Sequence, residues 1–216
     1  MLSKLRNFWS PASSYSAAYR QVLKHTRQYY NRQAHQHGDS IHALGWQDSA
    51  GQAVRFSQFL RALPALSIVD FGCGRGDFYG FLCDQGWTGD YWGIDISPAM
   101  IRLAQKRYPD ATFITGSLAD IPQTDVVVAS GVFSLKIPDP MHNLAVQIGT
   151  LLARARHQVV FNALSQSCES QVPGLQYYNP TQVHRLCHQW DPQAVIIRDY
   201  WPDDFTIHIK TGMLDL

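Results

Sequence analysis

The sequence predicts an α/β fold built on a doubly wound sheet, and three observations predict it. The run Ile68-Val69-Asp70-Phe71 is a short apolar strand that ends in a glycine-rich turn and a helix. From Leu66 onward, strand-like apolar runs alternate with helical stretches, the pattern of repeated βαβ units. The chain then closes on two β-rich runs around a turn, which reads as an antiparallel hairpin. A length of 216 residues suits one such domain with extra elements.

The elements follow in order. Residues 1–65 are polar, rich in Gln, His and Tyr, and lack strand-like runs. Residues 14–36 read as a helix carrying Tyr15, Tyr19, Val22, Leu23, Tyr29 and Tyr30, and Gly38 suits the position just past its end. A second helix over 47–62 presents Val54 and Phe59 to the sheet and stops at Pro64. Strand 66–71 leads to helix 76–85, strand 90–95 to helix 98–107, and strand 111–115 to a short turn. Strand 125–129 precedes helix 140–153, and strand 157–163 precedes helix 180–189. Three helices begin on a cap followed by proline: Ser97-Pro98, Asp139-Pro140 and Asn179-Pro180. The first residue accepts an orphan N–H, and the proline pre-sets φ for the first helical position. Runs 194–198 and 205–210 flank the turn Trp201-Pro202-Asp203-Asp204 and form the hairpin.

Bulk properties narrow the function classes. Eighteen Lys and Arg stand against 17 Asp and Glu, with no long basic run, so no nucleic-acid partner is expected. The basic residues Arg20, Lys24, Arg27 and Arg32 spread along one helix read equally as a solvated face. Cysteines at 73, 83, 168 and 187 form no C-x-x-C, so neither a zinc cage nor a disulfide framework is expected. That usage points to the reducing cytoplasm. No apolar run approaches the ~20 residues of a membrane helix, and the N-terminus lacks a signal-peptide core.

The glycine turn carries the chemistry. Glycine stands at 72, 74 and 76, Asp70 precedes the turn, and Asp95 ends the next strand nineteen residues after Gly76. A doubly wound sheet holds an adenosine-containing cofactor this way: glycines admit backbone to the ligand, and the acid accepts bonds from ribose hydroxyls. The dinucleotide fingerprint needs a glycine where Asp77 stands, and the Walker lysine is absent. The D-x-G-x-G-x-G pattern instead resembles motif I of the class I S-adenosylmethionine (SAM) methyltransferases. That resemblance covers about residues 50–216. It implies SAM as cofactor and a Rossmann-like seven-stranded sheet of order 3-2-1-4-5-7-6, with strand 7 antiparallel. It divides the chain into an N-terminal helical lid, 1–46, and a SAM-binding domain, 47–216.

The resemblance also assigns cofactor contacts. Asp70 orders the turn near the methionine amine, Gly72, Gly74 and Gly76 offer backbone, Asp95 is the ribose acid, and Ile96 flanks the adenine. Gly116-Ser117-Leu118 ends strand 3, where many members place an acid after the glycine. Here Ser117 stands there and Asp120 follows three residues later, so the adenine contact falls to Ser117, backbone or Asp120. Ser130 and Gly131 leave room at the end of strand 4, and Phe133 can wall the pocket. Arg55 either binds the methionine carboxylate or lies on the surface.

Acceptor-side candidates cluster in four places: Tyr29-Tyr30 with His35 and His37, Phe161-Asn162, Tyr177-Tyr178, and Asp199-Tyr200 with His208. Asn162 is either a catalytic group at a strand end or a polar terminus that bonds loop backbone. An aromatic face near the sulfonium is attractive by ~0.5–2 kcal/mol, so Tyr30 and Tyr178 are candidates, with packing as the alternative. His37, His208 and Tyr178 are candidate bases. His184 and His188, four residues apart on a helix, lack the remaining features of a metal motif, and no metal is expected. The leading function is methyl transfer from SAM to a small-molecule acceptor, by a monomer or homodimer, with inhibition by S-adenosylhomocysteine (SAH). Two alternatives stand beside it. One is a SAM-consuming cyclase yielding azetidine-2-carboxylate and methylthioadenosine; the other is a non-catalytic SAM-binding subunit.

Overall fold

The computed structural model describes residues 17–45 and 49–212; Tyr15 and the start of the first expected helix lie outside them. Seven strands form one sheet: β1 Ser67–Phe71, β2 Asp90–Asp95, β3 Thr112–Thr115, β4 Thr124–Ala129, β5 Ala155–Leu164, β6 Val195–Ile197 and β7 Asp204–Lys210. The order is β3-β2-β1-β4-β5-β7-β6. Strands β1 to β5 run parallel, and β7 pairs antiparallel with both β5 and β6. This is the order and the antiparallel seventh strand that the sequence led us to expect. All five parallel strands therefore end on one edge of the sheet, where loops rather than core must follow.

Among the described residues there are six α-helices: α1 Ala17–His37, α2 Ser49–Phe59, α3 Asp77–Asp84, α4 Pro98–Arg107, α5 Pro140–Leu152 and α6 Pro180–Cys187. Side chains alternate across each strand, so the core divides into two layers. Val69, Ile94, Val127, Val159 and Phe161 pack against Leu144, Ile148 and Leu151 of α5 and Val183 of α6. Ile68, Val126, Val128 and Val160 face Phe56 and Phe59 of α2, Phe78 and Leu82 of α3, and Ile101 of α4. Burying a side chain such as Phe59 contributes about 1.5–3 kcal/mol.

Three local expectations change. Helix α2 buries Gln52, Arg55, Phe56 and Phe59, the i, i+3, i+4, i+7 face of one helix, so Phe56 rather than Val54 accompanies Phe59. Ser97 Oγ accepts from the Met100 N–H at 3.2 Å and Asn179 Oδ1 from that of Gln182 at 3.1 Å, but Asp139 makes no side-chain cap. Its backbone is left-handed, φ 45°, where a capping residue is normally extended. Helix α6 ends at Cys187, two residues earlier than the pattern suggested.

Helix α1 stops at Gly38, whose left-handed φ of 55° lets its N–H donate to the Ala34 carbonyl at 3.0 Å. A 3₁₀ turn, Ile41–Leu44, follows, capped by Ser40. Ala34 and Ala43 pack on Ala99 and Met100 of α4, with Tyr30, Leu44 and Leu103 around them. The N-terminal segment is thus seated beside the end of β2 and the glycine turn.

Candidate active site

The turn after β1 is hooked over β2. The N–H groups of Gly72 and Cys73 both donate to the Ile94 carbonyl, at 2.7 and 3.1 Å. Gly74 needs its glycine twice over. Its φ is +54°, and a Cβ there would lie 2.5 Å from Leu44 Cδ2. Gly76, the residue before α3, ends the turn, with its N–H on the Cys73 carbonyl. Between these glycines, Cys73 faces inward, and burial pushes its thiol well up, so it is an inert packing group. Arg75 is buried too. It pairs with Asp77 at 2.9 Å and with Asp39, on the connector after α1, at 3.0 Å. Arg107 from the end of α4 reaches the same two acids. Four charges thereby fasten the N-terminal segment to the turn.

Two carboxylates flank this loop. Asp95 Oδ2 accepts from the Gly74 N–H at 3.0 Å, and Oδ1 accepts from the Ser97 N–H at 2.7 Å. Desolvation pushes its pKa up to about 6, against the lowering effect of those two bonds. Asp70 is buried, and Oδ2 accepts from the Tyr91 hydroxyl at 2.7 Å. Desolvation raises its pKa to about 7, partly offset by the Tyr91 bond and reinforced by Asp95 and Asp77. Tyr30 of α1 lies beside Asp95, and burial followed by that charge raises its phenol.

Across the strand ends, Asn162 is buried on β5. Its Oδ1 accepts from the Gly131 N–H at 2.8 Å, and its Nδ2 donates to Ser130 Oγ at 3.2 Å. Asn162 therefore holds the chain leaving β4. Truncating it to alanine strips both partners in a buried setting and should cost about 2 kcal/mol of stability, read from urea unfolding. Unchanged stability would show that the clamp is immaterial.

Comparison with known proteins points to a family. Residues 68–154 match the methyltransferase domain family, and that span runs from β1 to the end of α5. That match and the relatives that follow support a class I SAM-dependent methyltransferase. A putative methyltransferase of Mycobacterium tuberculosis is 29% identical over 163 residues, 71% of this chain and 98% of that protein. A trans-aconitate 2-methyltransferase of Afipia carboxidovorans is 39% identical over 80 residues, 36% of this chain. The chain spans only 31% of that relative's length. Among solved structures, magnesium protoporphyrin IX methyltransferase of Synechocystis with bound SAM superposes with a TM-score of 0.63 at 18% identity, over 88% of this chain and 97% of that one. This last likeness is one of fold.

The remaining candidates in this methyltransferase take other places. Ser117 and Asp120 close a capping box at the end of β3: Asp120 Oδ2 accepts from the Ser117 N–H at 2.8 Å and hydroxyl at 3.0 Å. Ile96 is half-buried beside Asp95, whereas Leu118 is buried in the core, which leaves only its backbone for a ligand. Arg55 is neither on the surface nor a free carboxylate receptor. It is buried against Asp204 in an ion pair, with its guanidinium 5.3 Å from the Trp201 ring. His208 sits midway along β7, where Nε2 donates to the Gln58 carbonyl at 3.0 Å and Nδ1 accepts from Gln158 at 2.8 Å. Desolvation lowers its pKa to about 4, so it is a neutral packing histidine and drops out as a base. Tyr177 and Tyr178 are both buried, the packing alternative. Tyr177 Oη accepts from the Val172 N–H at 2.8 Å, and burial raises the Tyr178 phenol. Tyr29 is exposed and edge-on to Tyr30. His37 is exposed at the end of α1, and His184 Nε2 donates to the Ala194 carbonyl at 2.7 Å.

A cleft of about 450 Å³ opens beyond β5 and β7, lined in part by Ser165, Ser167, Tyr200, Trp201 and Asp204. It lies on the same sheet edge as the glycine turn, on the far side of β4. Sequence reasoning missed Asn31, Asp39, Leu44, Tyr91 and Val132. None belongs to a spaced motif; folding brings Asp39, Leu44 and Val132 to the turn, Tyr91 to Asp70 and Asn31 to Ser97.

Proposed function

We propose that this methyltransferase passes the methyl group of SAM to a small-molecule acceptor. SAM supplies a methyl carbon activated on a sulfonium, with a neutral sulfide as leaving group. The residues fit that cofactor. Gly72 and Gly74 leave no room for a Cβ, since Val132 Cγ2 would stand 2.4 Å from one and Leu44 Cδ2 2.5 Å from the other. Asp95 retains lone pairs beyond its two backbone donors, enough to accept ribose hydroxyls. Asp70 supplies an acceptor near the ammonium end, and Ser117 with Asp120 supplies polar atoms at the adenine end. Residues 1–46, of which α1 and the 3₁₀ turn are described, serve as lid.

The observation that carries the reading is the shared edge: turn, Asp95, Ser130 and the cleft all lie at the carboxyl ends of the strands. A volume of about 450 Å³ suits a small molecule. Methyl transfer asks the protein mainly to hold the acceptor atom in line and to exclude water. Asn162 keeps the β4 exit in place for that purpose, and Ser165, Tyr200 and Asp204 offer hydrogen-bonding atoms to the acceptor.

Incubation of the pure chain with SAM, with and without an ultrafiltered metabolite extract, tests the proposal. SAH formed only when extract is present supports it. Methylthioadenosine from SAM alone would replace it with cyclisation. Saturable binding with no turnover under either condition would leave a binding subunit.

A further inference from the structure

We propose that Asn31 of helix α1 is a positioning residue for the cofactor, acting through Ser97 on Asp95. Asn31 Oδ1 accepts from the Ser97 hydroxyl at 2.8 Å and from the Ala99 N–H at 3.3 Å. Both donors belong to the first turn of α4. Ser97 Oγ in turn accepts from the Met100 N–H, so the hydroxyl is held at both of its sides. The Ser97 N–H donates to Asp95 Oδ1 at 2.7 Å. One continuous chain of hydrogen bonds therefore runs from α1 to the carboxylate. Ser97 is fully buried and Asn31 is half-buried, so water does not readily replace the link.

The arrangement is more than a helix cap. Ser97 already caps α4 by itself, and Pro98 pre-sets its first turn. Asn31 adds a second acceptor from outside the α/β domain and fixes which way the Ser97 hydroxyl points. The residue whose hydroxyl Asn31 holds is the one whose N–H bonds Asp95, so fixing Ser97 also fixes that donor. Tyr30, the neighbour of Asn31, lies beside the same carboxylate. The N-terminal helix thus completes the site instead of merely covering it.

The inference rests on the reading that Asp95 holds SAM, and a double-mutant cycle separates the two. SAH affinity of the full chain is measured by calorimetry for native protein, Asn31→Ala, Asp95→Asn and the double variant. Asn31→Ala should bind SAH about tenfold more weakly, the size of one net hydrogen bond. In the Asp95→Asn background the same change should cost about twofold or less, since coupled residues are non-additive. Equal losses in both backgrounds, or no loss from Asn31→Ala, would overturn the role of Asn31. Native affinity in Asp95→Asn would overturn the cofactor reading itself. Asn31→Ser, whose hydroxyl is too short to span the gap, is expected to match Asn31→Ala and serves if the alanine variant folds poorly. Retention of native affinity by the serine variant would equally count against the proposal.

Discussion

Asp95→Ala is expected to weaken SAH binding about a hundredfold while leaving the chain folded, because two losses coincide. The proposed ribose acceptor disappears, and a charged acceptor contributes more than a neutral one, about 1.5–3 kcal/mol per bond. In addition, the Gly74 and Ser97 N–H groups that Asp95 now holds lose their partner, so the turn itself loosens around the ligand. The same residue sets a pH dependence. Its pKa is raised to about 6 by desolvation, so acidification through pH 6 protonates it and removes acceptor capacity. SAH affinity in the native chain should therefore fall as pH drops from 7 to 5, and Asp95→Asn should make that fall shallower, leaving the share carried by Asp70. Calorimetry at three pH values decides it. A native profile that stays flat, or an alanine variant with undiminished affinity, would exclude this carboxylate from the site.

Much of the fold was legible because its causes are local. The strand runs are continuous and apolar, as strands buried on both faces must be, and Ser97-Pro98 and Asn179-Pro180 announce helices with two independent signals. The turn Gly72–Gly76 was legible because positive φ restricts the residue type. What sequence could not show was direction. His208 looked like a base, yet its register opposite Val160 places it in the interior of the sheet. Arg55 carries no sequence signal that separates core from surface, and only the approach of Asp204, 149 residues away, fixes it inside. Asn31 and Asp39 carry no motif at all; their roles arise from the packing of α1 on α4. Long-range partners, not residue types, were the missing information.

On the proposed reading Asp70 trades stability for a ligand, and Asp70→Asn should reveal the size of that trade. The carboxyl is buried, and its pKa is raised from 3.8 to about 7 by desolvation, with Asp95 and Asp77 adding repulsion. A raised folded-state value means that ionisation favours the unfolded chain. The penalty is absent below the unfolded value, grows as pH rises from about 4, and is complete above pH 7. A displacement of this size corresponds to about 4 kcal/mol at most, and relaxation of the surroundings reduces it. Asparagine keeps an oxygen to accept from the Tyr91 hydroxyl at nearly the same shape and carries no charge. The variant should therefore melt several degrees above the native chain at pH 8 and by a much smaller margin at pH 4.5. It should also bind SAM at least tenfold more weakly, because the charged partner proposed for the cofactor's ammonium is lost. Thermal unfolding at both pH values, with SAM calorimetry at pH 8, tests both halves. A variant destabilised equally at the two pH values would show that Asp70 is a structural acid whose charge the fold itself requires.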